Sequence, residues 1–394
     1  MQPTRMHWTA ALTAALALAA IPAAATDFSV HGLLDVATAD RGEAFALNRT
    51  TFGNSPFDAF GLRLFADAAA GEKITVSAEL LLDDTMGAQV VGAYVRYRPR
   101  PLVDFDLIAG KIPWPIGTFG SRSMSSANPL IGRPLMYQHH TTLLWYMVPT
   151  SADELLAVAG TGQAGVNYFG GPGGAVGMPI VDDAYWDVGA IASGSRGPFE
   201  GAAGVVNGAP GWPSTVEDDN GGKTVLGRLG FSPSPAIRVG VSGSHGPYLA
   251  DGAGAGLPPG KSVSSLPQDL VMADLELERG HAECRAEGFV NRWATGTVGD
   301  LRVTGYYVEG KYALIAGLYG AARWDQMRFS DLLGTDGLAR PWDRDLDRLE
   351  AGLGFRPERG VLIKGVYQRE WLRGDALHAG ESYDLIGGQL SVSF

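Results

Sequence analysis

Three features of the sequence predict an all-β fold, a transmembrane antiparallel β-barrel. Segments of about ten residues alternate apolar and polar side chains. The links between them alternate between short and long. No stretch after the N-terminal region approaches the ~20 apolar residues that a membrane helix needs. Composition agrees, because 55 of the 394 residues are Gly and only 19% are charged, a profile unlike that of an ordinary soluble enzyme.

Residues 1–25 are set apart from the fold. MQPTRMHW carries Arg5 and no acid, TAALTAALALAAI is apolar but short, and Ala23 and Ala25 place small residues before a cleavage point. This is the layout of a secretory signal, and a retained membrane helix is the weaker reading because the apolar stretch ends at Pro22. No Cys lies nearby to accept a lipid anchor. Cys284 is the only cysteine, so no intrachain disulfide can form. Residues 26–394 are expected to form a single barrel domain.

The strands follow in order. KITVSAELLLD sets Ile74, Val76, Ala78, Leu80 and Leu82 against Thr75, Ser77 and Glu79. VMADLELERG sets Val271, Ala273, Leu275 and Leu277 against Asp274, Glu276 and Glu278. LIAGLYGAARWDQ and RLEAGLGFRP repeat the pattern, with Ala322, Trp324, Leu349 and Leu353 on apolar faces. A soluble sandwich alternates in the same way, but its strands average five or six residues, whereas a tilted strand crossing a bilayer needs about 9–11. Strands are expected near 28–36, 59–69, 73–82, 88–98, 104–111, 184–193, 198–207, 223–232, 236–245, 268–279, 281–293, 301–310, 312–325, 346–356, 361–373 and 383–394. That makes sixteen, an even number, as closure with antiparallel neighbours requires. The short links at 98–101, 195–198, 232–235, 279–280, 309–312 and 357–360 then share one rim with both termini. The long ones at 37–58, 208–222, 246–267, 326–345 and 374–382 share the other. An eighteen-strand version using ELLAVAGTG (154–162) stays open. The final strand, YDLIGGQLSVSF, ends on Phe394 and resembles the terminal strand of bacterial outer-membrane proteins.

Sixteen strands enclose a lumen too wide for side chains to fill. Polar strand faces are expected to line it and apolar faces to meet lipid. Cys284 shares parity with Ala282, Ala286 and Gly288, so it is expected on the lipid side. One segment has unusual charge. From Leu107 to Ala152 there is no Asp or Glu, only Lys111, Arg122, Arg133, His139 and His140, in a chain with 42 carboxylates against 31 Lys and Arg. Pro113 and Pro115 stop sheet pairing, so the fifth strand ends there and residues 112–183 become one long loop. Loops of that length are usually functional.

GKIPWPIGTFGSR followed by NPLIGRPLMYQHHT resembles the porins related to the phosphate-selective O and P family, and DDNGGK and GVVNGAP are similar to the same group. The resemblance implies a passive, trimeric channel whose third external loop, here 112–183, folds into the lumen. Lys111, Arg122, Arg133, His139 and His140 would then form a basic constriction, and basic rings favour anions. Inward parity adds Arg63, Arg96, Arg98, Arg228, Arg238, Arg302, Arg323 and Arg348. The same parity also adds Asp67, Glu79, Glu276, Glu283 and Glu350. An anion-preferring channel and a weakly selective one for small hydrophilic solutes both remain open.

Other signals are weaker. Adjacent His139 and His140 point apart in extended chain and have no third ligand nearby, so no metal site is expected. Ser244 and His245 fall on opposite faces of one strand, a poor start for a hydrolase. GGPGG (170–174) lacks the Lys-Ser/Thr of a phosphate loop. No cofactor and no nucleic acid is implied. The expected surroundings are the lipid and lipopolysaccharide of a bacterial outer membrane, with a homotrimer implied by the resemblance. A barrel enzyme acting on lipid or polysaccharide, or a barrel scaffold for a partner protein, are the rival readings.

Overall fold

The computed structural model describes residues 27–39, 59–83, 87–99, 104–159, 177–182, 186–214, 218 and 220–394. The expected signal segment and most of the 37–58 loop lie outside the described residues. Strands follow the predicted alternation: β1 (Asp27–Ala39), β2 (Ala59–Ala69), β3 (Ile74–Asp83), β4 (Gly87–Tyr97), β5 (Phe105–Pro113), β6 (Trp186–Arg196), β7 (Phe199–Val206), β8 (Thr224–Ser234) and β9 (Ile237–Pro247). They continue as β10 (Pro267–Arg279), β11 (Ala282–Ala294), β12 (Asp300–Ile315), β13 (Leu318–Phe329), β14 (Asp331–Leu333), β15 (Ala339–Pro341), β16 (Leu346–Phe355), β17 (Val361–Leu372) and β18 (Glu381–Ser393). The pair β14–β15 is a small separate hairpin. The other sixteen close into one antiparallel barrel in chain order, sealed where β1 pairs with β18. Closure satisfies the backbone groups of both edge strands, which lipid could not do.

Two local expectations change. The bend expected at 309–312 is continuous strand, because Glu309 and Lys311 keep inward alternation and pair across to Arg285 and Glu283. The chain turns later at Gly317, whose φ of 80° is open to glycine at no steric cost. ELLAVAGTG, the extra strand of an eighteen-stranded barrel, starts instead within the helix α2 (Ala152–Ala157). Ser151 caps it by accepting from the Glu154 amide, and Asp153 and Glu154 occupy its first turn.

Alternation sorts the two faces. Val271, Val290 and Leu229 stand 63%, 54% and 68% exposed on the outside, where lipid would cover them. On β13 the buried residues Tyr319, Arg323, Asp325, Met327 and Phe329 alternate with outward Ala322 and Trp324. Cys284 sits in register with Leu277 and Gly310 on the outer face, as parity anticipated. Ser244 is buried inside while neighbouring His245 is exposed outside. Arg302 corrects the parity list. It is in register with Arg292 on the outer face and does not line the lumen.

Candidate functional site: the lumenal loop and its wall

The chain leaves β5 at Pro113 and turns inward, burying Ile112, Trp114 and Ile116. It meets the opposite wall at Gly117. Its φ is +62°, and a Cβ there would lie 2.6 Å from the Tyr137 hydroxyl and 2.9 Å from Glu287 Oε1, so only glycine fits. The Gly117 amide donates to Ser242 Oγ of β9 at 3.0 Å. The Thr118 and Phe119 amides and the Thr118 and Tyr137 hydroxyls all donate to one carboxylate, Glu287 of β11. A turn at Gly120–Arg122 then brings Arg122 against β12, where its guanidinium donates to Glu309 Oε1 at 2.6 Å and to the Tyr307 hydroxyl at 2.8 Å. The same group lies 5.0 Å from the Phe119 ring centroid. Burial pulls the Arg122 pKa down, but Tyr307, Glu309 and Glu287 together hold it above its ordinary value.

Further along, the wall keeps answering the loop. Asp35 of β1 accepts from the Ser125 hydroxyl. Lys364 of β17, 2% exposed, donates to the carbonyls of Ser125, Asn128 and Leu130 at 2.9, 3.1 and 2.8 Å. Glu350 of β16 accepts from the Ile131 and Gly132 amides, and Asp325 of β13 accepts from the Leu135 amide at 3.0 Å. Behind them Arg323 reaches Glu350 at 2.6 Å, Asp325 at 3.0 Å and the Gly132 carbonyl at 3.1 Å. Arg348 bonds Glu370 at 2.7 Å, Gln138 at 2.7 Å and the Arg133 carbonyl at 3.3 Å. The acid-free segment therefore docks on an acidic wall. Its missing carboxylates are supplied by β1, β11, β12, β13 and β16; those of β11, β13 and β16 take up loop amides that would otherwise be buried without partners, that of β1 the Ser125 hydroxyl and that of β12 the Arg122 guanidinium.

Apolar packing completes the joint. Phe119, Leu135, Met136, Tyr137, Leu143 and Val148 of the loop share one core with Met272, Phe289, Trp293, Leu301, Val303, Met327, Phe329 and Leu346 of the wall. The helix α1 (Leu135–Gln138) is buried throughout. This corrects the expectation of a polar lining all round. Over β10–β13 and the start of β16, much of the inner face toward the long-loop rim is apolar, because the loop covers it as one layer of a soluble core covers another.

The residues expected at a basic constriction separate accordingly. Lys111 stands in register with Ala93 and Val188 on the outer face, and its ammonium donates to the Val90 carbonyl at 2.7 Å. Arg122 and Arg133 are buried, 7% and 6% exposed, so neither faces the lumen as an open charge. His139 is buried beside the Phe329 ring, and His140 hydrogen-bonds the Gly177 carbonyl. Arg323 and Arg348 are buried structural charges. Arg63 pairs with Glu79. Arg96 and Arg98 share Asp106, and Arg228 sits between Asp274 and Glu200. Arg98, Arg228, Asp104, Asp106 and Glu200 line a cleft of about 340 Å³ toward the short-turn rim. Parity alone did not single out Asp35, Glu287, Glu309 and Lys364. A charged side chain in mid-strand on the inward face was the available signal.

No family model and no curated protein sequence matches the chain. Solved structures do. The anion-selective porin from Comamonas acidovorans is similar at 11% identity and a TM-score of 0.57, over 93% of this chain and 99% of that one. The outer membrane channel DcaP of Acinetobacter baumannii is similar at 10% identity and 0.56, over 93% and 97%. OmpT, an outer membrane protein of Vibrio cholerae, in its trimer form is similar at 10% identity and 0.54, over 93% and 99%. At such identities the likeness is one of fold, and this chain has the closed sixteen-stranded barrel fold of bacterial outer-membrane porins.

Proposed function

We propose that the protein is a passive outer-membrane channel for small hydrophilic solutes. The observation that carries this reading is that the docked loop leaves one stretch of the inner wall uncovered. The loop is hydrogen-bonded along β9–β17 and β1 and packs on Ile191, Val206 and Leu226 at the long-loop end of β6–β8, while toward the short-turn rim the inward side chains of β4–β8 remain half-buried and charged around the Arg98–Arg228 cleft. The described parts of the loop, residues 114–159 and 177–182, narrow the lumen by occupying it, with Arg122, Arg133, His139 and His140 serving the attachment. Export by the 1–25 signal and assembly as a homotrimer complete the proposal. The trimer form of OmpT supports the latter.

Selectivity in this reading is weak. The exposed bases Arg96, Arg98 and Arg238 face Asp104, Asp106, Glu200 and Glu276 across the same stretch of wall, and mixed charge leaves little net field. A modest anion preference would come from Arg96 and Arg98, whose side chains are 40% and 45% exposed against 16% for Asp106. Phosphate as a favoured solute rests on the likeness of the loop string alone. Planar-bilayer recording tests the proposal. Steady ohmic conductance is expected, with a reversal potential in a KCl gradient displaced slightly toward chloride. Arg96→Glu with Arg98→Glu should move it toward potassium. A protein that gives no conductance, or a double variant that behaves as the parent, overturns the corresponding part.

A further inference from the structure

The outer wall is uneven at the rim of long loops. From β1 to β8 the outward positions near that rim carry few charged side chains among the described residues: Lys111 on β5, and Lys223 just before β8, which pairs with Asp218. From β9 to β12 they carry a row. His245, Asp269, Arg292 and Arg302 are successive cross-strand partners on the outer face, each within three residues of the rim end of its strand. Asp269 accepts from Arg292 Nε at 2.8 Å and lies against His245, and Asp300 accepts from Arg292 Nη1 at 2.9 Å. Arg302 is exposed, and its guanidinium meets no carboxylate among the described residues.

Arg292 faces Arg302, but the charge of Arg292 is already answered by Asp269 and Asp300, so Arg302 is the guanidinium left to take an anion. Guanidinium groups bind phosphate through paired N–H donors. The height of the row says what kind of anion. Just below it Val271, Val290 and Tyr306 are 63%, 54% and 42% exposed, a surface for acyl chains. We infer that Arg302, with Arg292 held beside it by Asp269 and Asp300, binds the phosphate of a phosphorylated glycolipid of the outer leaflet. The inference rests on the membrane-spanning reading above.

The test is binding of lipid A to the full chain in nanodiscs, comparing the bis-phosphorylated and dephosphorylated forms. The parent should prefer the phosphorylated form by about tenfold, the scale of one charge-assisted contact. Arg302→Ala should lose most of that preference, while Lys111→Ala, on the charge-poor side of the wall, keeps it. Millimolar inorganic phosphate should leave the preference intact. A parent without preference, an Arg302→Ala protein that retains it, or abolition by inorganic phosphate overturns the inference. Heat-dependent gel mobility confirms that each variant is a closed barrel. Failure of the parent to enter nanodiscs at all would overturn the channel reading instead.

Discussion

Arg122 shows what becomes of a charge in this lumen. Its guanidinium is spent on Glu309 and Tyr307 and lies beside the Phe119 ring, so it contributes attachment and little field. Arg122→Ala would leave Glu309 buried with only Arg323, 3.4 Å away, as a partner. Removing one member of a buried pair costs about 3–5 kcal/mol, and the second arginine places this case near the lower figure. The expected outcome is a lower urea midpoint with an almost unchanged reversal potential. A large swing toward potassium with stability unaffected would restore Arg122 as a filter. The sequence displayed the bases plainly but hid their partners, because 187 positions separate Arg122 from Glu309. Alternation says that Glu309 points inward and does not say what it meets.

Among the elements, strands were legible and the loop interior was not. Period-2 patterning located all sixteen barrel strands, since successive residues point to opposite sides of the wall and the outer side stays apolar over most of its height. The main error was a bend placed at 309–312, where β12 runs on unbroken to Ile315. The loop has no such repeat, and α2 was overlooked although Ser151, Asp153 and Glu154 form a recognisable helix start. That helix is tied to the turn between β14 and β15. The Thr335 amide and hydroxyl donate to Asp153 at 2.9 and 2.6 Å, and the Thr150 amide donates to Glu154 at 2.8 Å. Hydrogen bonds from Thr335 and Thr150 hold the Asp153 and Glu154 carboxyls below their ordinary values. A lowered folded-state pKa means that the tie is complete above the ordinary carboxylate range and is lost as pH falls through the depressed values. Current fluctuations should therefore stay constant from neutral pH down through that range and rise only in stronger acid. Thr335→Val should raise them at neutral pH.

At the scale of the molecule, closure and filling are separate tasks. Closure ends in a reciprocal backbone pair between Gly32 and Phe394, at 2.8 and 3.0 Å, with the Phe394 ring against Gly32. A Cβ at Gly32 would come within 2.2 Å of that ring, so Gly32→Val should reduce the fraction of chain that refolds to the compact, heat-modifiable form, and Phe394→Ala should recover part of it. Filling depends on a division of labour between one segment that lacks acids and five strands that provide them. Neither half is interchangeable. Transplanted into a foreign barrel, residues 114–159 would present a series of amide groups to side chains never shaped to receive them. A host given new loops would be left with orphaned carboxylates. The two behave as a single cassette, and sequence drift on either side must be matched on the other.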